Sequence, residues 1–239
     1  MSHFSPLEPA LPAPTRPDWP RAFRALRVIR ADPDRTDQVF ELNVALDGGD
    51  SERQFQALLA EPGGADLLRD SPELLDHLTD VAALEALPPD TLGAAYLALM
   101  RANAHDPDGL HRAAERIQEF AALHRGAART WWMERQSCVH DLLHLLTGYG
   151  QDQAGETALL AFTDGLYGRR HRMRVVRFGM IASVLSAPWG SKWRTLVFAW
   201  QARRRGKRSR IPFGYRWEEA LKQPTKELRA QLGVAPPAA

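Results

Sequence analysis

Along most of the chain apolar residues return every three or four positions, the period of a helix packed on one face. Phe55, Leu58 and Leu59 set this spacing over residues 51–60, and Pro62-Gly63-Gly64 closes it. Asp70-Ser71-Pro72 reads as a helix start, with Ser71 as the cap and Pro72 in the first turn. Pro88-Pro89-Asp90 opens a helix over about 91–103 that carries Leu92, Tyr96, Leu99 and Met100, and another is expected over 109–125. Residues 129–146 form the next, stopped by Thr147-Gly148-Tyr149-Gly150. Asp152 can cap a helix reaching Tyr167, and two more flank Ser186-Ala187-Pro188-Trp189. A last helix is expected over about 217–232, ended by Gly233. Strand-like alternation is confined to residues 28–29 and 39–46. The pattern predicts an all-α fold: a single-domain multi-helix bundle over residues 21–234. A flexible Pro-rich leader, residues 1–20, precedes it, and a short tail, residues 235–239, follows.

At 239 residues the chain can bury one sizeable core. Its 44% apolar and 25% charged residues exclude disorder over most of its length. The single cysteine, Cys138, excludes an intrachain disulfide and fits a reducing compartment. No run approaches the roughly 18 apolar residues of a spanning helix, and the N-terminus lacks a signal-peptide pattern. The net charge of +2 hides an asymmetry: residues 1–100 carry 17 acidic and 8 basic side chains, residues 101–239 carry 12 and 23. Between Asp164 and Glu218 stand fourteen Lys or Arg and no Asp or Glu. Such a stretch attracts phosphates or anionic lipid, or is a plain solvated face. Met173, Val176, Met180 and Val184 form a narrow apolar stripe within it. That makes Arg169, Arg170, Arg172, Arg174 and Arg177 candidates for headgroup contact. No nucleic-acid-binding module is recognisable, and no nucleic-acid partner is expected.

The chemistry concentrates on residues 140–156. On a helix His140 and His144 project from one face, separated by about 40° of rotation, with Asp141 at its edge. Val139, Leu142, Leu143, Leu145 and Leu146 surround them, so this helix is expected to be buried. Glu156 stands on the apolar face of the next helix, which the Gly148–Gly155 turn can fold back toward the histidines. Burying these groups unpartnered is costly. A divalent cation held between the two adjacent helices by His140, Asp141, His144 and Glu156 satisfies all four, since imidazole nitrogen and carboxylate oxygen suit zinc, iron(II) and manganese. A hydrogen-bonded His/Asp/Glu network is the bland alternative. Cys138 falls on the opposite helix face and reads as a small buried residue. His111, His124 and His171 belong to no cluster, and the tryptophans read as core or interface.

His140-Asp141-Leu142-Leu143-His144, eleven residues and then Glu156 is similar to the HDxxHx11E signature of the Coq-four family of ubiquinone (coenzyme Q) biosynthesis proteins. Leu87-Pro88-Pro89-Asp90-Thr91-Leu92-Gly93-Ala94-Ala95-Tyr96 resembles that family's LPxxTxGxAY segment. Ala187-Pro188-Trp189, Tyr215-Arg216-Trp217-Glu218 and the stretch 227–233 resemble later landmarks, so the likeness covers about residues 25–234. The approach to His140 departs from the family's Arg-rich pattern, keeping only Arg135. The resemblance implies an all-α protein with a divalent metal, zinc by family usage and iron(II) as the alternative. It makes His140, Asp141, His144 and Glu156 the catalytic as well as the metal-binding residues. The implied reaction is oxidative decarboxylation at ring carbon C1 of a polyprenylated hydroxybenzoate precursor, a hydroxyl replacing the carboxylate. The implied partners are other ubiquinone-biosynthesis enzymes, the membrane surface and a second copy in a homodimer. The expected setting is the bacterial cytoplasm, peripheral on the inner face of the cytoplasmic membrane. Two rivals stand beside this reading. One is a non-catalytic scaffold or polyprenyl-lipid-binding organiser. The other is an HD-type metal-dependent phosphohydrolase, whose set His124 and Asp164 would have to complete.

Overall fold

Helix boundaries follow local capping chemistry. In the computed structural model, which describes residues 16–32, 35, 37–103, 126–168, 174–186 and 189–235, Asp18 caps α1 (Trp19–Ala31) by accepting from the Arg21 N–H at 3.0 Å. There follow α2 (Asp37–Leu46), α3 (Asp50–Ala60), α4 (Gly64–Asp70), α5 (Leu74–Thr79), α6 (Val81–Glu85) and α7 (Leu92–Asn103). Next come α8 (Ala127–Thr147), α9 (Gln153–Tyr167), α10 (Arg174–Ser186), a 3₁₀ turn (Trp189–Ser191), α11 (Lys192–Gly206), α12 (Trp217–Ala220) and α13 (Thr225–Leu232). The described residues contain no strand, only an isolated bridge between Thr91 and Pro224. The two strand-like runs lie in α1 and α2, where burial of Ala22 and Ala25, and of Leu42, Ala45 and Leu46, follows helical spacing. The expected helix 109–125 lies outside the described residues, as does most of the Pro-rich leader.

Two expectations are corrected. Ser71 does not start a helix; it ends α4 in the left-handed region at φ 41°, its N–H on the Leu67 carbonyl at 2.8 Å and its hydroxyl turned back to the Leu68 carbonyl. The next helix, α5, starts only at Leu74, without a side-chain cap. The C-terminal helix is split in two. The carbonyls of Leu221 and Gln223 leave the helical ladder to accept from Gly93 N–H (2.9 Å) and Leu92 N–H (3.0 Å), capping the start of α7. Pro224, with no N–H to give, stands at the break.

The main core gathers Leu142 and Leu146 of α8, Leu159 and Phe162 of α9, and Trp217 and Leu228 from the C-terminal segments. A second cluster joins Phe55 and Leu67 to Trp131, Trp132 and Phe213, and a third closes α1 on α2. The α9–α11 pair is close enough that a Cβ on Gly165 would stand 2.1 Å from the Arg203 carbonyl. Arg135 of α8 is buried in a two-pronged ion pair with Glu218, and its Nη2 also donates to the Tyr215 carbonyl at 3.0 Å. Removing one partner of such a pair costs about 3–5 kcal/mol.

Candidate metal centre

His140 and His144 lie one turn apart near the C-terminal end of α8, with ring centroids 4.9 Å apart and Nε2 atoms 3.3 Å apart. Past them the helix stops at Gly148, whose φ of 75° suits a residue without a Cβ. The chain turns, and Asp152 caps α9 by accepting from Gly155 N–H at 2.7 Å. A Cβ on Gly155 would stand 1.9 Å from the Gly150 carbonyl oxygen, so only glycine lets α9 seat this closely on the turn. Glu156, in the first turn of α9, then meets both rings. Its Oε1 is 3.0 Å from His144 Nε2 and its Oε2 is 3.4 Å from His140 Nε2. One ligand atom from each of the three lies within 4.8 Å of the others. His144 is buried, whereas the His140 side chain is 41% exposed and that of Glu156 39%, so the cluster is open on one side. Beside it a cavity of about 560 Å³ is lined by His144, Leu99, Leu145, Tyr149, Gln151 and Asp152.

The electrostatics match a cation site. Burial opposes charge on His144, but the Glu156 carboxylate, the Tyr149 carbonyl and the charge of Asp141 outweigh it and raise its pKa. Burial likewise opposes the Glu156 carboxylate, yet hydrogen bonds from His140 and His144 bring it down to about 2. His144 Nδ1 lies 3.1 Å from the Tyr149 carbonyl, which orients Nε2 toward the cluster. Two imidazole nitrogens and a carboxylate oxygen form a donor set suited to zinc or iron(II), with room for a further ligand on the open side.

Of the four residues expected at the site, the structure brings together His140, His144 and Glu156. Asp141 is half-buried on α8 and outside the three-residue cluster; its charge is felt at His144 and Cys138. Cys138 is buried in the main core, where burial first and Asp141 second push its thiol up to about 12. Arg169, Arg170 and Arg172 lie outside the described residues, as do His111, His124 and His171. Arg174 begins α10. Arg177 is engaged inward: its Nε donates to Asp164 at 2.6 Å and its Nη2 to the Gly168 carbonyl at 2.9 Å. Arg203 Nε takes the other oxygen of buried Asp164 at 2.6 Å. Asp164 is also eight residues from Glu156, about 12 Å along α9. The aspartate that a phosphohydrolase would need is therefore occupied by two arginines.

Sequence reasoning missed the layer behind the histidines. Arg229 of α13 donates to the carbonyls of Leu146 (2.8 Å) and Leu145 (3.0 Å), and Arg205 of α11 to that of Thr147 (3.0 Å). Three successive carbonyls at the negative end of α8 are thus taken by guanidinium groups. The Glu227-Leu228-Arg229 landmark was the one available signal, and it carries no hint of its target.

The family model described as coenzyme Q (ubiquinone) biosynthesis protein Coq4 matches residues 22–238. The mitochondrial ubiquinone biosynthesis protein coq-4 of Neurospora crassa is 29% identical over 186 residues, covering 77% of this chain and 50% of that protein. Its counterpart in Podospora anserina is 30% identical over 188 residues, covering 78% and 58%. The chain thus matches only half or somewhat more of the length of these relatives. A crystal structure of a Nostoc punctiforme protein assigned to ubiquinone biosynthesis superposes with a TM-score of 0.65 at 19% identity. It covers 91% of this chain and 99% of its own, a likeness that shows a shared fold.

Proposed function

The chain belongs to the Coq4 family of coenzyme Q (ubiquinone) biosynthesis proteins. From that premise we propose that it binds one divalent metal through His140, His144 and Glu156 and oxidatively decarboxylates a polyprenylated hydroxybenzoate precursor at a membrane surface. The observation that carries this reading is the convergence of two imidazoles and a carboxylate, from two helices, beside a cavity. When bound, the metal (zinc by resemblance, iron(II) as the alternative) supplies Lewis-acid pull on the carboxylate or phenolate oxygens of the ring. The chain's own residues do the rest. His144 presents Nε2 because the Tyr149 carbonyl engages Nδ1. Glu156 stays ionised at any physiological pH. Asp141, half-buried on α8 between the two histidines in sequence, adds negative charge that raises the pKa of His144. Leu99, Leu145 and Tyr149 line the cavity with apolar surface against which the ring can rest. In net terms the carboxylate leaves as carbon dioxide and a hydroxyl takes its place on C1, a two-electron oxidation that balances with water and with dioxygen, the external oxidant in the assay below, going to hydrogen peroxide.

Exposed apolar residues support the membrane part of the reading. Among the described residues the large exposed ones, Val81 apart, fall on three helices: Trp19 and Phe23 on α1, Ile181 and Leu185 on α10, and Trp193, Leu196 and Trp200 on α11. Trp193 is 75% exposed and Leu185 66%. Both α1 and the whole stretch 165–217 lack Asp and Glu while carrying many arginines. Aromatic rings set among arginines, on segments without acidic residues of their own, suit an anionic bilayer surface. No helix among the described residues is long and apolar enough to cross a membrane. Flotation with phosphatidylglycerol vesicles should carry the protein upward at low salt, and Trp193→Ser with Trp200→Ser should abolish it. Equal flotation of wild type and variant would remove this face from the reading.

A second reading, a non-catalytic organiser that gathers other biosynthetic enzymes or holds a polyprenyl lipid, is favoured by the same exposed face. Elemental mass spectrometry on wild type and His144→Ala separates the two. The metal-loaded protein is then incubated in air with a short-chain prenylated 4-hydroxybenzoate. Stoichiometric metal lost in the variant, with carbon dioxide released only by wild type, supports the enzyme. Metal without turnover supports the organiser, and no metal even after reloading sinks the site.

A further inference from the structure

His144 can serve a cation only through the ring nitrogen that faces Glu156, and which nitrogen faces it depends on what holds the other one. The acceptor for Nδ1–H is the Tyr149 carbonyl at 3.1 Å, five residues on and beyond the helix end. A carbonyl in such a turn is not fixed by the helix ladder. Its direction follows from Gly148, at φ 75°, and from what pins the residues on either side. Arg205, from α11, pins both. Its Nη2 donates to the Thr147 carbonyl at 3.0 Å, before Gly148, and its guanidinium carbon lies 4.7 Å from the centre of the Tyr149 ring, after it. That ring also packs edge-on with Phe162 and Phe198, with centroids 6.5 and 5.5 Å away. Arg205 also donates to the Ala235 carbonyl, which braces it from the C-terminal segment. Its hydrogen bonds to the Thr147 and Ala235 carbonyls and its contact with the Tyr149 side chain hold it against the turn.

We infer that Arg205 is a positioning residue of the metal centre: by clamping the Thr147-Gly148-Tyr149 turn it holds the Tyr149 carbonyl on His144 Nδ1 and so keeps Nε2 turned toward the cluster. The inference rests on the metal reading above for its consequence, but its geometry is a property of the metal-free protein. The test uses ¹⁵N-labelled, metal-free full-length protein and long-range ¹H–¹⁵N correlation of the imidazoles, at a pH where His144 is protonated on both nitrogens, and reads the exchange protection of its Nδ1–H. Cobalt(II) affinity is measured beside it by chelator competition. Wild type shows a His144 Nδ1–H protected from exchange with solvent. Arg205→Met loses that protection and binds cobalt roughly 10–100-fold more weakly, with an altered visible spectrum. Arg205→Lys, which keeps one donor, restores part of both. Tyr149→Leu, which keeps the carbonyl but removes the ring under Arg205, moves both readouts the same way and serves where Arg205→Met does not fold. A folded Arg205→Met protein with a protected His144 Nδ1–H and wild-type cobalt affinity overturns the inference. Absence of cobalt binding in wild type would sink the metal reading, and the exchange comparison would still decide the role of Arg205.

Discussion

His144 and Glu156 shift one another's protonation in opposite directions, and this gives the metal-free protein a signature in pH. Glu156 is depressed from an ordinary 4.5 to about 2, so its contribution to stability is complete above about 4.5 and is lost as pH falls toward 2. His144 is raised above an ordinary 6.5, so its contribution is complete below 6.5 and is lost as pH rises through the raised value. The two overlap between about 4.5 and 6.5. Urea midpoints of metal-free wild type and Glu156→Gln should differ most inside that window and converge on either side. A difference that kept growing above neutrality would show that another group carries the effect. With metal present the order reverses: protons compete for His144, so affinity rises with pH. At this scale the sequence was readable for residue types and spacing, since a four-residue step places two rings on one face whatever surrounds them. For Asp141 spacing alone does not decide: three and four residues along a helix are different directions, and backbone geometry brings the rings of His140 and His144 against Glu156.

The helices were legible where a local interaction defines them. Asp152 caps α9, Gly148 and Gly233 terminate α8 and α13, and the apolar spacing of α3 and α7 holds as expected. They were misread where a distant segment takes over. Ser71 caps backward, and the break at Leu221-Lys222-Gln223-Pro224 exists because its carbonyls are needed at the start of α7. The seat of α9 on the preceding turn is such a contact, and it can be tested. Gly155→Ala places a methyl carbon 1.9 Å from the Gly150 carbonyl oxygen, an overlap that must push the helix away. It should cost about 1–3 kcal/mol and weaken cobalt binding by displacing Glu156. Gly150→Ala, where the added carbon would lie 3.6 Å from the Asp152 carboxylate, is the control and should change stability by less than about 0.5 kcal/mol. Equal denaturation midpoints for the two variants would contradict the close approach.

For the whole molecule, composition foretold a helical chain with an acidic first half and a basic second half, and the structure keeps that division with one amendment. Not all the basic residues face outward: Arg177 and Arg203 neutralise buried Asp164, Arg205 and Arg229 hold the end of α8, and Arg135 joins it to Glu218. A charge run read from sequence cannot separate cations that hold the fold from cations that meet a partner, because the separation depends on residues far along the chain, 83 positions away for Arg135 and Glu218. The attachment of the C-terminal segments to α8 has a consequence for inheritance. A premature stop codon at Trp217 leaves α8 and α9 intact in the message, yet the product lacks Glu218, the two carbonyls that start α7, and Arg229. Such late-truncating alleles should behave in a complementation assay as complete losses of the gene, while missense changes at exposed Lys222 or Lys226 should pass as silent.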